Sequence, residues 1–364
     1  MLFLLSTQKK TGQGSSHAKI ILIGEHAVVY GQPAIALPLK TLKTQAKMTL
    51  RQDDQQILES SYYTGPIADV PEFMRGIKHL VMYILTQQNQ DIGFTLQVTS
   101  QLPIERGMGS SASVAVAIIR AMYDLFSLEL DHQTLLKLAD VAEKDTHKNP
   151  SGLDAATTSS ATPIWMIRDQ TIDPIPLDLD AYLVICDSGI KGQTSQAIAT
   201  VKAKLQAKPI ATKKKIEAIG NLSWQARKQL AQNDVLGLGQ TLNAAQEYLR
   251  QLDVSEPKLD KLIDLALQNG ALGAKLTGGG RGGCFICLVK DQRSAKQLSD
   301  ILLANGAIAA WIEPLKKWSS VRKLKMCDWS YIVINVALWK ENYIAFWSLD
   351  QHIYIGNIRW KHLK

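Results

Sequence analysis

The segment PIERGMGSSAS, residues 103–113, is the most informative stretch of the chain. Gly107 and Gly109 allow a tight turn without side chains, and the apolar run Val114–Ala121 that follows predicts a helix. Such a turn presents unpaired backbone N–H groups at the helix N-terminus, where the helix dipole favours an anion. Serine hydroxyls at the same place can bind a phosphate or a metal ion. The segment therefore predicts a phosphate-binding loop, and the alternative is an ordinary helix with a serine cap.

Two further glycine-containing segments belong with this loop. Lys19–Gly31 reads KIILIGEHAVVYG, and Lys275–Cys284 reads KLTGGGRGGC. Gly278, Gly280 and Gly283 match a dinucleotide-binding fingerprint as a string, but a strand rather than a helix is predicted to follow them. The chain has neither the GxxxxGK[ST] loop of P-loop NTPases nor the protein-kinase signatures. We expect the third segment to close over phosphates.

Composition indicates a globular protein with about two domains. The chain has 364 residues, of which 46% are apolar and 20% charged. No apolar run approaches the roughly 18 residues of a membrane span, and Met1–Leu5 is too short for a signal peptide. We therefore expect a cytoplasmic protein that contacts no membrane. The net charge of +8 is concentrated in residues 316–364, which hold nine basic and three acidic residues. The remainder is nearly neutral, so we expect no nucleic-acid-binding domain.

The metal-ligand spacings in the chain are weak signals. Cys284 and Cys287 have the spacing of half a zinc site, but no second pair follows, and CFICLV predicts a buried strand with its cysteines on opposite faces. Glu143 and His147 have the spacing of half a di-iron site, but no second Glu-x-x-His pair occurs.

The periodicity of apolar residues predicts a mixture of helices and strands, with a domain boundary near residues 185–195. Predicted strands are Lys19–Ile23, Ala34–Leu37, Thr41–Leu50, Gly93–Thr99, Thr162–Ile167, Ala181–Cys186, Cys284–Val289 and Ile308–Ile312. Predicted helices are Pro71–Gln87, Val114–Leu125, Thr134–Thr146, Ser294–Ala304 and most of Thr194–Asn269, with breaks at Asn233–Asp234 and Ser255–Pro257.

Two carboxylates have the placement that phosphoryl transfer needs. That reaction uses a metal ligand and a group that positions or deprotonates the attacking hydroxyl. Glu143 lies on a predicted helix, and Asp154 follows the break Asn149–Gly152 (NPSG), where a carboxylate can face a cleft. The alternative for Asp154 is a helix N-cap.

The chain from residue 16 to residue 315 resembles the GHMP kinases, and within them the mevalonate kinases. The three glycine-containing segments match the three motifs of that superfamily in order and spacing. KIILIGEHAVVYGQPAIALP resembles the mevalonate kinase form of the first motif, whereas phosphomevalonate kinases usually have tyrosine in place of His26. KNPSGLD is similar to the segment that carries the catalytic aspartate. Residues 16–18, SHA, stand where many relatives have Ala-Pro-Gly, a departure that we expect to affect only a turn.

The resemblance implies an α+β fold of two domains. Residues 1–190 would form the GHMP kinase N-terminal domain, of the ribosomal protein S5 domain 2-like type, and residues 191–315 a ferredoxin-like C-terminal domain. ATP and substrate would meet in the cleft between them.

The activity implied is that of an ATP-dependent, magnesium-dependent kinase, a monomer or homodimer, that phosphorylates the 5-hydroxyl of mevalonate in the route to isoprenoids. The alternatives are another superfamily member, either a phosphomevalonate kinase or a mevalonate diphosphate decarboxylase, and a non-catalytic binding protein that uses the basic tail.

The resemblance also implies a role for each matching residue. Asp154 would be the catalytic base or orienter, with Lys19 beside it. Ser111 and Glu143 would hold Mg²⁺. The residues facing mevalonate would be Glu25, His26 and Thr194. Those binding ATP would be Pro103, Gly107, Met108, Gly109, Ser110, Ser111, Ala112, Ser113, Gly278, Gly279 and Gly280.

Residues 316–364 lie beyond the resemblance and hold five of the eight tryptophans. Because they show no clear periodicity, we expect them to lie outside the catalytic fold, and a read-through, frameshift or gene-boundary origin would explain their composition. The alternative is a small added strand layer that includes Ile332–Val336.

Overall fold

The structure is a computed structural model that describes residues 10–103, 106–146, 152–316, 343–349 and 352–358. It divides into two units, one ending at Lys316 and the other comprising residues 317–364.

A seven-stranded sheet organises the first part of the larger unit. Its strands are β1 Thr11–Ile23, β2 Pro33–Leu50, β3 Gln56–Ser60, β4 Thr64–Pro66, β5 Phe94–Ser100, β6 Ile164–Ile167 and β7 Thr171–Pro174. The central strand β2 pairs with β1 over most of its length, and the strand order apart from β1 is β4-β3-β5-β2-β6-β7. Strand pairs are antiparallel except β3 with β5.

Strand β2 runs unbroken where the sequence predicts two shorter strands. Its register with β1 shifts between His17, opposite Lys43, and Ala18, opposite Leu39. Residues 40–42 of β2 have no partner in β1 at this point, and this irregularity shifts the register without ending the strand. Residues 16–18 therefore lie in a strand, and the expected turn at this position is wrong.

Four helices accompany this sheet: α1 Arg75–Gln87, α2 Ser110–Leu125, α3 His132–Thr146 and α4 Leu153–Ser159. Helix α2 packs closely against β1. A Cβ added to Gly14 would lie 2.1 Å from the Ala117 carbonyl oxygen, so only glycine allows this approach. The helix also packs Ile118 and Met122 into a core with Met48 and Phe94 of the sheet. This packing fixes the N-terminus of α2 relative to the strand that carries Lys19.

A four-stranded antiparallel sheet organises the second part, with the order β11-β8-β10-β9. Its strands are β8 Tyr182–Asp187, β9 Gly273–Leu276, β10 Cys284–Val289 and β11 Ala309–Pro314, and its helices are α5 Thr194–Ala207, α6 Pro209–Gln232, α7 Val235–Gln251, α8 Pro257–Gln268 and α9 Gln292–Ala304. With helices following the first and third of these strands, the sheet has ferredoxin-like topology. The two-domain α+β fold is thus confirmed.

The predicted elements of the second part are confirmed in type, with differences at their ends. Strand β8 is hydrogen-bonded in the second sheet although it precedes the predicted boundary near residue 190, and the boundary itself stays a prediction. Cys284 and Cys287 pack into different hydrophobic clusters on opposite faces of β10, as the buried-strand interpretation requires. The sequence analysis missed the break between α5 and α6 at Lys208, although Pro209 at the start of α6 is a signal for it.

The smaller unit contains a hairpin of β12 Tyr343–Leu349 and β13 His352–Ile358. The sequence pattern predicts no regular element there, yet both strands are rich in β-branched and aromatic residues, which favour strands. The predicted alternative over Ile332–Val336 lies outside the described residues. Within the described part of the chain, no helix has the length and apolar character needed to cross a membrane.

Candidate active site

Lys19 and Asp154 form the ion pair on which the site is built. Strand β1 carries Lys19, and the first turn of α4 carries Asp154. Lys19 Nζ lies 2.8 Å from Asp154 Oδ1. The lysine side chain is only 3% exposed, whereas that of the aspartate is 38% exposed. The pair thus has a buried cation and a carboxylate that reaches solvent.

The N-cap interpretation of Asp154 is wrong. Helix α4 is preceded by Gly152, with φ at 73°, and no side chain caps it. Asp154 lies two residues further on, and its side chain pairs with Lys19.

The phosphate-binding loop contacts Lys19 directly. The Lys19 backbone N–H donates to the Met108 carbonyl over 3.0 Å. Gly109 precedes α2 in a left-handed conformation, with φ at 70°. A Cβ at this position would lie 2.7 Å from Lys19 Cγ, so glycine is required both for its conformation and for the space that it leaves.

Gly109→Ala is therefore expected to displace Lys19 and the loop together. The left-handed conformation alone costs a non-glycine residue about 1–2 kcal/mol. We expect a lower melting temperature and a lower kcat. Gly31→Ala is the matched control, because Gly31 is also left-handed, with φ at 77°, but a Cβ there meets no atom within 4 Å. If the two variants lose the same amount of melting temperature and kcat, the contact between Gly109 and Lys19 is not the cause of the loss.

Glu143 is a buried carboxylate beside this pair. It lies on α3 and is 5% exposed. Its Oε1 atom has no hydrogen-bond partner among the described residues. Burial, and next the negative charge of Asp154, raise the pKa of Glu143 to about 8, and the Lys19 cation acts in the opposite direction. The described side chains therefore compensate the charge of an ionised Glu143 only in part.

The loop residues predicted to bind ATP fall into two groups. Ser110 is half-buried and Ser111 exposed at the first turn of α2, and Pro103, Gly107 and Gly109 are half-buried. The side chains of Met108, Ala112 and Ser113 are buried. Ser113 Oγ donates to Thr44 Oγ1 over 2.9 Å, and its backbone N–H donates to the Gly109 carbonyl. We therefore assign the Ser113 side chain to the core rather than to a ligand-binding set.

The second and third glycine segments touch through their backbones. A Cβ on Gly278 would lie 3.1 Å from Gly107 Cα. Nearby, Arg106 Nε pairs with Asp187 Oδ2 at 2.8 Å, which ties the phosphate-binding loop to the end of β8. Thr277 Oγ1 accepts from the Ile21 N–H and donates to the Ile21 carbonyl, both over 2.9 Å. All three segments are thus brought together.

His26 and Thr194 meet the third segment at Gly279. Because a carbonyl only accepts, His26 Nε2 donates to the Gly279 oxygen over 2.9 Å. Burial, together with the Lys275 cation, lowers the pKa of His26 to about 4, against the effect of that hydrogen bond. The ring is therefore neutral near pH 7. A Cβ on Gly279 would lie 2.1 Å from Thr194 Oγ1, and Thr194, at the start of α5, is exposed. Gly280 is buried beside Val254.

Glu25 is buried against a residue that the sequence analysis missed. It forms an ion pair with Lys275 of β9, and both side chains are fully buried. Lys275 Nζ also donates to the Leu276 carbonyl over 2.6 Å. Burial raises the pKa of Glu25 and lowers that of Lys275, while each charge opposes the shift of the other. The presence of a lysine within the apolar strand GAKL is the sequence signal that could have identified Lys275. His147, which has the spacing of half a di-iron site with Glu143, lies outside the described residues.

Comparisons with known proteins agree with this arrangement. The family model of the GHMP kinases N terminal domain matches residues 74–161, and that of the GHMP kinases C terminal region matches residues 226–308. A curated mevalonate kinase of Pyrococcus horikoshii is 31% identical over 317 residues, which cover 80% of this chain and 92% of the relative.

Two crystal structures of mevalonate kinases resemble the fold. That from methicillin-resistant Staphylococcus aureus is 31% identical, with a TM-score of 0.68, and the match covers 85% of this chain and 100% of the other. That from L. major, in complex with R-mevalonate, is 27% identical, with a TM-score of 0.77, and the match covers 86% and 99%. The chain therefore belongs to the GHMP kinases and, within them, to the mevalonate kinases.

Proposed function

We propose that this protein transfers the γ-phosphate of ATP to the 5-hydroxyl of mevalonate, giving ADP and 5-phosphomevalonate in the mevalonate route to isoprenoids. The observation that carries the proposal is the 2.8 Å contact of Lys19 with Asp154, at the meeting point of three glycine segments in a chain of this family. Asp154 is the only member of the pair with substantial exposure, so it is the one that can meet a substrate hydroxyl.

In the proposed reaction, the hydroxyl oxygen forms a bond to the γ-phosphorus while the bond from that phosphorus to the β–γ bridging oxygen breaks. Asp154 orients the hydroxyl and accepts its proton. The Lys19 ammonium pairs with the Asp154 carboxylate and stabilises negative charge on the attacking oxygen. ADP leaves, and the proton passes from Asp154 to solvent.

We propose that Ser111 and Glu143 hold Mg²⁺ on the ATP phosphates. The fit rests on Glu143, whose buried Oε1 lacks a partner and whose raised pKa shows that the described side chains leave its charge undercompensated. When bound, Mg²⁺ neutralises charge on the phosphates. Magnesium is commonly held by one or two protein oxygens together with substrate phosphates and waters.

The region around Gly279 is proposed to receive mevalonate. His26 and Thr194 both contact this glycine. His26 is neutral and its Nε2 already donates to the Gly279 carbonyl, so Nδ1 can accept a hydrogen bond without adding charge. Glu25 is fully buried against Lys275, and we propose that it acts by holding the His26 turn rather than by touching substrate.

We further propose that the enzyme acts in the cytoplasm on small molecules, as a monomer or homodimer, with its two domains meeting near residue 190 and the tail outside the catalytic fold.

Shortening the chain to end at Lys316 is expected to leave kcat and the melting temperature unchanged. Leu315 must stay, because it is buried and its backbone exchanges hydrogen bonds with Leu179 and Ala181. A melting temperature lower by several degrees would assign residues 317–364 to the enzyme.

The function is tested with purified protein, ATP and Mg²⁺ against mevalonate, phosphomevalonate, mevalonate diphosphate, galactose and homoserine, with ADP release as the readout. We expect kcat/KM to be highest for mevalonate. A preference for phosphomevalonate, or release of carbon dioxide from mevalonate diphosphate, would replace the proposal by one of the alternative activities. If the protein turns over none of these compounds, the result would favour a non-catalytic binding protein.

A further inference from the structure

Two of residues 16–18, the segment expected to differ from many relatives, contact the C-terminal end of the helix that carries Asp154. Ser16 Oγ donates to the Thr158 carbonyl over 2.8 Å. His17 Nε2 lies 2.8 Å from the Ser160 carbonyl, and His17 Nδ1 lies 3.0 Å from the Ala18 carbonyl. A neutral imidazole carries one N–H, and the Ser160 oxygen is the closer, so we assign Nε2 as the donor.

Arg120 of α2 completes the set. Its Nη2 donates to the Ser159 carbonyl over 3.0 Å, and its Nη1 donates to the Ser15 carbonyl over 2.6 Å. Three successive carbonyls, those of residues 158, 159 and 160, therefore accept hydrogen bonds from side chains outside α4. We name the donors Ser16, His17 and Arg120 the carbonyl clamp.

The clamp acts where a short helix is weakest. The last four carbonyls of a helix have no partner within it, and a helix of seven residues gains little stability from its own hydrogen bonds. No side chain caps the N-terminus of α4 either. The position of this helix therefore depends on the packing of its buried side chains and on what its C-terminal end contacts.

A second hydrogen bond carries the constraint to Asp154. Thr158 accepts from Ser16 through its carbonyl, and Thr158 Oγ1 donates to the Asp154 carbonyl over 2.9 Å. Thr158 is fully buried. Strand β1 thus holds α4 at two points, through the clamp at its end and through Lys19 at its first turn.

We propose that Ser16 and His17 are positioning residues, which hold the C-terminal end of α4 through the carbonyls of Thr158 and of the C-cap residue Ser160, so that Asp154 keeps its reactive geometry against Lys19. This inference rests on the proposed function for its kinetic part only. A misplacement of about 1 Å in a catalytic group can cost about 100-fold in rate, so modest movement of α4 has a measurable effect.

The test compares variants that differ only in the donor. His17→Leu removes the N–H at similar volume, and His17→Gln restores an N–H donor near the position of Nε2. Ser16→Ala removes the hydroxyl. Ser15→Ala is the matched control, since Ser15 is the neighbouring exposed residue of β1 and its side chain forms no hydrogen bond among the described contacts of the clamp.

The first readout is amide hydrogen exchange measured by mass spectrometry, which needs no activity. His17→Leu and Ser16→Ala are expected to speed exchange in residues 153–160, whereas His17→Gln and Ser15→Ala leave it as in the natural sequence. Unchanged exchange in α4 would overturn the clamp, whatever the substrate of the enzyme is.

The second readout is kcat in two backgrounds. His17→Leu is expected to lower kcat about tenfold with little change in the KM for ATP, and His17→Gln to recover most of the loss. In an Asp154→Asn background the same change is expected to cost less than about twofold, because residues that act as a unit are not additive. An equal loss of kcat in the natural and Asp154→Asn backgrounds would overturn the positioning role. So would a lower melting temperature with unchanged kcat, because the clamp would then only stabilise the helix end. Failure of the natural sequence to phosphorylate mevalonate would instead reject the proposed function.

Discussion

Asp154→Asn is expected to lower kcat by roughly 10²–10⁴-fold while ATP affinity changes little, because the substitution keeps the shape of the side chain and removes the group that accepts the proton. The structure adds a reason for the large effect. A neutral amide in place of the Asp154 carboxylate would leave the Lys19 ammonium, 3% exposed, without its anionic partner. An uncompensated buried cation is unfavourable, so the lysine would have to move or lose its proton.

The measurement is steady-state kinetics with mevalonate, together with ATP binding by calorimetry. Asp53→Asn is the matched control, because Asp53 also pairs with a cation, Arg51, at 2.6 Å, but on the exposed surface. Surface ion pairs contribute little, so this control is expected to retain full turnover. Turnover of Asp154→Asn equal to that of the natural sequence would remove Asp154 from the catalytic role.

Glu143→Gln is expected to lower kcat and to raise the magnesium concentration needed for half-maximal activity. The amide oxygen still has the size of a ligand but lacks the charge that attracts Mg²⁺. The measurement is a magnesium titration of activity at fixed ATP. Glu72→Gln, on the surface beside Arg75, is the control and is expected to give the natural titration curve. If the Glu143→Gln curve overlays it, Glu143 is no ligand.

The same substitution is expected to stabilise the protein in the absence of magnesium above neutral pH. In the folded protein the pKa of Glu143 is raised to about 8 from its ordinary value of 4.5. Unfolding therefore releases a proton between these values, and stability falls as pH rises through this window and levels off above it. A glutamine at position 143 does not titrate, so the variant does not lose stability in this way as pH rises.

Melting temperatures of the two proteins at several pH values measure this effect. The advantage of Glu143→Gln is expected to grow from pH 5 to pH 8, and saturating Mg²⁺ is expected to remove it, because the ion stabilises only the carboxylate. A constant difference across this range would mean that Glu143 is not the group whose titration destabilises the fold.

Much of the site follows from local sequence. Glu143 and Asp154 are predicted from their placement around a break in the chain, and the role of Lys19 is implied by the resemblance. The structure brings Lys19 and Asp154 into contact. The ferredoxin-like topology is likewise implied by the resemblance and is confirmed by the order of the second sheet.

The contacts between distant segments do not follow from sequence. Periodicity reports which face of an element is buried but not which residue lies opposite, so the pairing of Glu25 with Lys275, 250 positions away, has no local signal. The same limit applies to Ser113. Its place in a serine-rich loop suggests ligand binding, whereas the packing of α2 against β2 directs its hydroxyl to Thr44.

The most direct test of the central claim is the identity of the product formed from mevalonate, ATP and Mg²⁺, determined by proton-coupled ³¹P nuclear magnetic resonance. Phosphate on the 5-oxygen is attached to a CH₂ group, so the account predicts a phosphomonoester signal split into a triplet, with one ADP formed per product. A singlet would place the phosphate on the tertiary 3-hydroxyl. A singlet, or ADP formation without any new phosphomonoester, would contradict the assignment of this site.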